Sequence, residues 1–275
     1  MINYIDILKE MLSASVGAGE IIMKYYNGRF SVKSKNDSTP VTDADIASSE
    51  YILSTLKASY PDFGYLSEES ADEVDQNEVP IRLSKTHCFI IDPLDGTRSF
   101  VKHTGEFAVS IGLASDNEVV AGVVYAPVNR ELYYALKGHG AYKVYVPDSC
   151  EIPEPFDGKR ISVSSRTEDL IAVQSDKRSD LRAEEIIARN SDKISKVLRF
   201  GSCLKGCLIA EGKADIHYRY AAYTKEWDTA GEEIICRESG AMFTDVNGGK
   251  LIANREDYRN INGIRILNSP ASELK

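Results

Sequence analysis

Residues 87–100 read His87-Cys-Phe-Ile-Ile-Asp-Pro-Leu-Asp-Gly-Thr-Arg-Ser-Phe100, and the rest of the chain is read outward from them. The stretch begins as a short apolar, aromatic and β-branched run, which predicts a buried strand. Pro93 has no N–H to give a ladder, so the strand is expected to stop there. Asp92, just before the proline, is biased to extended backbone, which puts its carboxylate at the strand's end. Asp95 follows three residues later, and Gly96 supplies the freedom for a tight turn. Thr97 then reads as the N-cap of a short helix over Arg98–His103. Two carboxylates would flank a helix start whose free N–H groups point outward. Carboxylates attract Mg²⁺ and helix-start amides attract phosphate, a pairing that suits metal-assisted phosphate chemistry. Asp, Pro and Gly are also the commonest turn residues, so this stretch taken alone fits a plain turn equally well.

The 275 residues could form one large domain or two smaller ones sharing an interface. An apolar fraction of 43% and a charged fraction of 27% are ordinary for a globular chain with a sizeable core. The opening Met1-Ile-Asn-Tyr-Ile-Asp-Ile-Leu-Lys-Glu10 mixes acids into its apolar residues and lacks the pattern of a signal peptide. No apolar run approaches the ~20 residues of a membrane span, so no integral membrane segment is expected. The expected location is the cytoplasm, or the inner face of the membrane as a peripheral protein. Five scattered cysteines, an odd number, argue against a disulfide framework. Cys203 and Cys207, four apart, read as buried thiols on one helix face. A net charge of −9 argues against a nucleic-acid polymer as partner. The same charge would repel an anionic phosphate unless bound divalent cations reverse the local field.

In chain order, apolar residues at Ile5, Leu8, Leu12, Val16, Ile22 and Tyr26 predict a helix over 4–26, ended by Gly28. A short strand over Phe30–Lys33 and a polar, proline-punctuated segment lead to a helix over 43–59. Thr42 and Asp45 match a capping box; the alternative for Asp45 is to orient a hydroxyl in a neighbouring site. Phe63–Ser67 reads as a strand delivering Glu68 and Glu69 at its end, and the acidic run to Glu78 as a solvated loop or helix. Phe107–Ala114, Val119–Val128 and Glu131–Leu136 predict an antiparallel meander, followed by a turn at Gly138-His-Gly140 in which His139 is structural. Residues 147–159 look like a connection between two halves. Beyond it strands (Arg160–Val163, Lys196–Phe200, Ala214–His217, Ala241–Thr244, Gly263–Leu267) alternate with helices (Ser179–Arg189, Ser202–Glu211 and about 229–239), the pattern of an α/β arrangement. Asp228 reads as an N-cap of the last helix, with Thr229 and Glu232 as an alternative capping box.

The signatures of zinc proteases, P-loop enzymes and hydrolase elbows are absent, and the four histidines have no metal-like spacing. What remains is carboxylate and phosphate chemistry, which points to hard, oxygen-loving cations. Leu66-Ser-Glu-Glu-Ser70, Asp92-Pro-Leu-Asp-Gly-Thr97 and Trp227-Asp-Thr-Ala230, in this order, resemble the inositol monophosphatase-like, lithium-sensitive phosphatase superfamily. The likeness runs almost from end to end and includes Thr42-Asp-Ala-Asp45 and Glu106-Phe-Ala-Val-Ser-Ile111.

That resemblance implies a layered α-β-α-β-α sandwich with the active site between two halves. Residues 1–150 would be the α+β half carrying most metal ligands, and 151–275 the α/β half carrying Asp228 and the nucleotide-binding residues. It implies two or three Mg²⁺ ions held by Glu68, Asp92, the Leu94 carbonyl, Asp95 and Asp228. It further implies direct attack of a metal-activated water oriented by Thr97, with Asp45 accepting the threonine's proton. Leu94, the Gly96 and Thr97 amides and Asp228 would line the phosphate site.

Phe200-Gly-Ser-Cys-Leu-Lys-Gly-Cys-Leu-Ile-Ala-Glu-Gly-Lys-Ala-Asp215 is similar to one branch, the 3′(2′),5′-bisphosphate nucleotidases. Those enzymes remove the 3′-phosphate of adenosine 3′,5′-bisphosphate, a by-product of sulfate assimilation. In this likeness Ser202, Lys205 and Arg219 hold the nucleotide, the basic groups facing its 5′-phosphate. Three departures stand out: Glu168 where the branch has a histidine, Tyr218 where proline is common, and Gly231 where alanine is usual. Glu168 would add negative charge near the pocket unless it points outward or pairs with Arg166, and Gly231 is expected to matter little. The expected partner is a small phosphate substrate, and the expected state a monomer or homodimer. The alternatives are an inositol or sugar monophosphatase of the same superfamily, or a non-catalytic nucleotide-binding module.

Overall fold

The computed structural model describes residues 2–35, 39–71, 78–176 and 180–274. The chain opens with α1 (Tyr4–Tyr26), capped by the Asn3 side chain, whose Oδ1 accepts from the Ile5 N–H at 3.1 Å. Its apolar face buries Ile7, Leu8, Met11, Leu12 and Ile22. A two-stranded hairpin, β1 (Val32–Ser34) and β2 (Pro40–Thr42), feeds α2 (Asp43–Ser59). The expected capping box forms: Thr42 Oγ1 accepts from the Asp45 N–H at 3.4 Å, and Asp45 Oδ2 accepts from the Thr42 N–H at 2.8 Å. The segment holding Asp37 and Ser38 lies outside the described residues.

Next come β3 (Gly64–Ser67), the short helices α3 (Glu68–Ala71) and α4 (Glu78–Leu83), β4 (His87–Asp95) and α5 (Thr97–Val101). Of the acidic run, residues 72–77 are outside the description. The meander follows as β5 (Ala108–Ser115), β6 (Glu118–Ala126), β7 (Glu131–Leu136) and β8 (Gly140–Tyr145), closed by β9 (Lys159–Ile161). Then come β10 (Leu170–Ser175), α6 (Leu181–Arg189), β11 (Ile194–Phe200), α7 (Leu204–Ala210), β12 (Ile216–Arg219), α8 (Glu226–Glu238), β13 (Met242–Thr244) and β14 (Ile264–Leu267). Ser179, expected at the start of α6, is also outside the description; Asp180 caps that helix, its Oδ1 accepting from the Ala183 N–H at 3.1 Å.

Two sheets result. The larger has seven strands in the order β3-β4-β5-β6-β7-β8-β9, antiparallel except for the parallel β3–β4 pair. The smaller has five, in the order β11-β10-β12-β14-β13, parallel on one side and antiparallel on the other. The strand expected at Arg160–Val163 is shifted to Lys159–Ile161 and is the last strand of the larger sheet. It was expected among the alternating strands and helices of the second half, but its backbone pairs antiparallel with β8.

One apolar cluster joins α1 and α2 to the larger sheet, with Phe89, Ile91, Val109, Ile111 and Val123 at its centre. A second joins the sheet's other face to α7, α8 and the smaller sheet. A third packs α6, through Ala183 and Ile187, on Leu170, Ala172, Ile216 and Leu267. The layers therefore run helices, sheet, helices, sheet, helix, the α-β-α-β-α sandwich expected.

α8 lies close on the larger sheet because two strand glycines leave room for it. A Cβ at Gly112 would come within 2.6 Å of the Ala230 Cβ, and one at Gly122 within 2.5 Å of the Ile234 side chain. Gly231 is the counterpart on the helix, and this corrects the expectation that it matters little. A methyl there would collide with Ser110 Oγ and stand 3.1 Å from the Val123 carbonyl.

Candidate active site

β4 carries the central motif, but it does not stop at Pro93. It continues to Asp95 through a register shift, so Asp92 pairs with Ser110 and Asp95 with Ala108. The bulge accommodates a proline that a regular ladder would reject. Asp92 Oδ1 accepts from the Leu94 N–H at 3.1 Å, and Ser48 Oγ donates to the Pro93 carbonyl at 2.8 Å, which ties the bulge to α2.

Gly96, at φ 98°, and not Thr97, precedes α5. A Cβ at Gly96 would stand 2.8 Å from the Glu106 carbonyl oxygen, so both the left-handed φ and the crowding require glycine. Thr97 is thereby the first helical residue, and its side chain is released from capping. Its Oγ1 donates to Asp45 Oδ1 at 2.9 Å, across the gap between α5 and α2.

Asp228 also differs from its expected place. The N-cap of α8 is Lys225, and Asp228 sits three residues inside, its Oδ2 accepting from the Lys225 N–H at 2.6 Å. The Thr229–Glu232 box does not form, because Glu232 Oε2 accepts instead from the Gly206 N–H of α7 at 2.9 Å. The N-terminus of α8 is held by buried Glu226, which accepts from the N–H groups of Asn254 (2.6 Å) and Arg255 (2.8 Å).

These placements gather carboxylates from distant parts of the chain. Oxygens of Asp92, Asp95 and Asp228 all lie within 4.8 Å of one another. Asp95 Oδ2 also accepts from the Cys203 N–H. Glu68 lines the same cleft but stands outside that trio. Its Oε1 takes a salt bridge from Lys35 Nζ at 2.9 Å, and the same ammonium reaches Glu69 Oε1 at 2.7 Å.

Burial, reinforced by Glu68, Asp95 and Asp228, pushes the Asp92 carboxyl well above the ordinary carboxylate range. Asp95 is raised by burial against the pull of Lys205 and the Cys203 N–H. Asp228 is pushed up to about 7 by burial, Asp95 and Glu68. Such crowding of like charges suits a cation. All-oxygen donors of this kind match a hard divalent ion such as Mg²⁺ rather than a thiolate- or imidazole-seeking metal. Asp45 is pushed up to about 6 by burial, which its hydrogen bonds from Thr42 and Thr97 only partly offset.

The carboxylates open into a cleft of about 720 Å³. Its lining includes Glu68, Asp92, Leu94, Asp95, Gly96 and Thr97 from the first part of the chain and Ser202, Lys205, Arg219, Lys225 and Asp228 from the later part. Ser202 has φ 55°, and Lys205 Nζ donates to its carbonyl. Every expected site residue except Asp45 lines this cleft, and Asp45 stands behind Thr97. Glu168 is exposed and is not among the lining residues, and Arg166 pairs with Asp215 at 2.8 Å instead. Tyr218 is also outside the lining: it is buried, its hydroxyl accepting from the Leu274 N–H at 3.0 Å.

Sequence reasoning missed Lys35, Glu232 and His217. His217 is buried at the cleft, and its Nδ1 meets the Val173 carbonyl at 2.8 Å. A carbonyl only accepts, so Nδ1 carries the proton, and burial holds the ring neutral. The five cysteines are free; Cys88, Cys203, Cys207 and Cys236 are buried. His139 stacks on Phe156, a structural contact. No helix among the described residues is long and apolar enough to cross a membrane.

Known proteins share this sequence pattern and this fold. The chain is 34% identical over 256 residues to the 3′(2′),5′-bisphosphate nucleotidase CysQ of Salmonella typhimurium, covering 92% of this chain and 96% of that one. The enzyme of the same name from Aggregatibacter actinomycetemcomitans is 32% identical over 269 residues, covering 93% and 91%. Among solved structures, CysQ from Bacteroides thetaiotaomicron, a bacterial member of the inositol monophosphatase family, superposes with a TM-score of 0.77 at 33% identity, covering 94% of this chain and 96% of that one. The extragenic suppressor protein suhB of Bartonella henselae gives a TM-score of 0.76 at 29% identity, covering 96% and 94%. The sequence pattern of the inositol monophosphatase family matches residues 6–271, so this chain belongs to the inositol monophosphatase family.

Proposed function

We propose that this phosphatase is Mg²⁺-dependent and hydrolyses the 3′-phosphate of adenosine 3′,5′-bisphosphate to AMP and phosphate. The observation that carries the reading is the shared cleft, which holds a carboxylate cluster together with the basic residues Lys205 and Arg219. A substrate with one reacting phosphate and a second, distant one needs both sets of groups. The relatives named as bisphosphate nucleotidases support the same substrate class.

Glu68, Asp92, the Leu94 carbonyl, Asp95 and Asp228 would hold two or three Mg²⁺ ions. When bound, the ions polarise the phosphoryl oxygens and acidify water. Water attacks phosphorus directly, since no cysteine or histidine in the cleft is a free, activated nucleophile; burial raises the Cys203 thiol well above its usual range. Thr97 Oγ1 orients the water and takes a proton from it while passing its own hydroxyl proton to ionised Asp45 through the 2.9 Å bond between them. The bond from phosphorus to the 3′-oxygen breaks, and the leaving oxygen takes a proton from solvent to become the 3′-hydroxyl of AMP. The Gly96 and Thr97 amides hold the reacting phosphate. Ser202, Lys205 and Arg219 hold the nucleotide, and the arginine fork can grip the 5′-phosphate by two parallel hydrogen bonds. The cytoplasm and a monomeric or homodimeric state remain part of this proposal.

The test is a panel of phosphate esters assayed with Mg²⁺. Release from adenosine 3′,5′-bisphosphate but not from inositol 1-phosphate is expected. The reverse preference would favour a sugar phosphatase of the same family, and no turnover at all a binding module.

A further inference from the structure

We infer that Glu232 is a positioning residue that fixes the spacing between the reacting phosphate and the second one. The inference rests on the function just proposed and assigns a role to a residue outside the cluster of Asp92, Asp95 and Asp228. Asp228, Glu232 and Cys236 lie four residues apart on α8 and so form one stripe along the helix. Asp228 heads that stripe in the carboxylate cluster. The other two clasp a single residue of α7: Glu232 Oε2 accepts from the Gly206 N–H at 2.9 Å, and the Cys236 thiol donates to the Gly206 carbonyl at 3.3 Å.

Gly206 directly follows Lys205, which lines the same cleft as the carboxylates. The clasp therefore sets where Lys205 stands relative to Asp228. Glycine is needed at its centre, because a Cβ at 206 would run into Glu232 Oε2 and come within 3.1 Å of Cys236 Sγ. Glu232 is only 4% exposed yet borders the cleft, and besides holding Gly206 it feels the charge of Lys205 itself. Without an acceptor there, the buried Gly206 N–H would keep only its bond to the Cys203 carbonyl at 3.1 Å, and the tie from α7 to α8 through this N–H would be lost.

Three variants test the role. Glu232→Leu keeps similar bulk without an acceptor, Glu232→Gln keeps an acceptor, and Gly206→Ala pushes the carboxylate aside from the other helix. Two readouts are taken: the ratio of KM for adenosine 3′,5′-bisphosphate to KM for 3′-AMP, and the affinity for AMP by calorimetry. Glu232→Leu and Gly206→Ala are each expected to raise the ratio about tenfold and weaken AMP about tenfold, the size of one lost buried hydrogen bond. Glu232→Gln is expected to restore both to within threefold of the parent. If Glu232→Leu fails to fold, Gly206→Ala and Glu232→Gln carry the test. Equal losses on both substrates, or no change in AMP affinity, would overturn the inference. Failure of the parent protein to hydrolyse the bisphosphate would instead overturn the proposed function, a result visible before any variant is made.

Discussion

Thr97 Oγ1 donates to Asp45 Oδ1 at 2.9 Å, joining the first residue of α5 to the first turn of α2 across 52 positions of sequence. The bond depends on two local features. Gly96 takes the left-handed position before α5, which frees the threonine hydroxyl from capping. Asp45 serves its own helix with Oδ2 alone, through Thr42, which leaves Oδ1 for Thr97. Thr97→Ala should lower kcat about 10²–10⁴-fold, the usual worth of a positioned proton transfer, with little change in KM. Steady-state kinetics on the bisphosphate checks this. A change below threefold would remove Thr97 from the chemistry.

The same pair gives a pH dependence. Asp45 keeps its proton up to about pH 6 because burial disfavours the ionised form. The folded chain therefore binds more protons than the unfolded one between roughly pH 4 and 6. Asp45's contribution to stability is accordingly greatest below that window and is lost as pH rises through it. Asp45→Asn should remove this component, so the variant-minus-parent difference in unfolding free energy should become more favourable from pH 4.5 to pH 7. Activity should run the other way, with an acid limb near pH 6, because only ionised Asp45 accepts the threonine proton. Urea unfolding and a pH–rate profile measure the two; a flat difference across the window would contradict the assignment.

The carboxylate cluster should be a burden to the metal-free fold. Asp92, Asp95 and Asp228 crowd like charges that burial makes more costly. Mg²⁺ should therefore raise the unfolding temperature of the parent protein, as any ligand of the native state does. Asp92→Asn should leave the metal-free protein as stable or more stable, reduce the Mg²⁺-induced rise, and nearly abolish turnover. Calorimetric scans with and without EDTA decide it. A variant markedly less stable than the parent without metal would mark Asp92 as structural.

Lys205 and Arg219 line the same cleft as that cluster. Each changed to alanine should raise KM for adenosine 3′,5′-bisphosphate about tenfold or more, since hydrogen bonds to charged groups contribute about 1.5–3 kcal/mol. The KM for 3′-AMP, which lacks the 5′-phosphate, should move much less. Equal losses on both substrates would assign these residues to the fold or to the common chemical step.

Local signals made much of this legible. The 3.6-residue apolar period and the Thr42–Asp45 capping box gave α1 and α2 their bounds, because nothing tertiary competes with them. Pro93 misled the reading of β4, since a bulge admits what a regular ladder excludes, and a bulge depends on the neighbouring strand. The start of α8 was misread because Asp228 looks like a cap, while Glu226 is anchored by Asn254 and Arg255 from another part of the chain. β9 was legible as a strand but not as the partner of β8. Lys35, in a polar loop, carried no sequence signal, and Glu232 read only as part of an alternative capping box with Thr229. Their burial comes from contacts with Glu68 and Glu69 in one case and Gly206 in the other.

The most direct test is phosphate release from adenosine 3′,5′-bisphosphate by the purified protein, measured with Mg²⁺ and again with excess EDTA, with the nucleotide product identified. The account predicts one phosphate released per nucleotide, AMP as the product, and loss of the reaction in EDTA that added Mg²⁺ restores. Undiminished release in EDTA, or a product that keeps its 3′-phosphate and loses the 5′-phosphate, would contradict it.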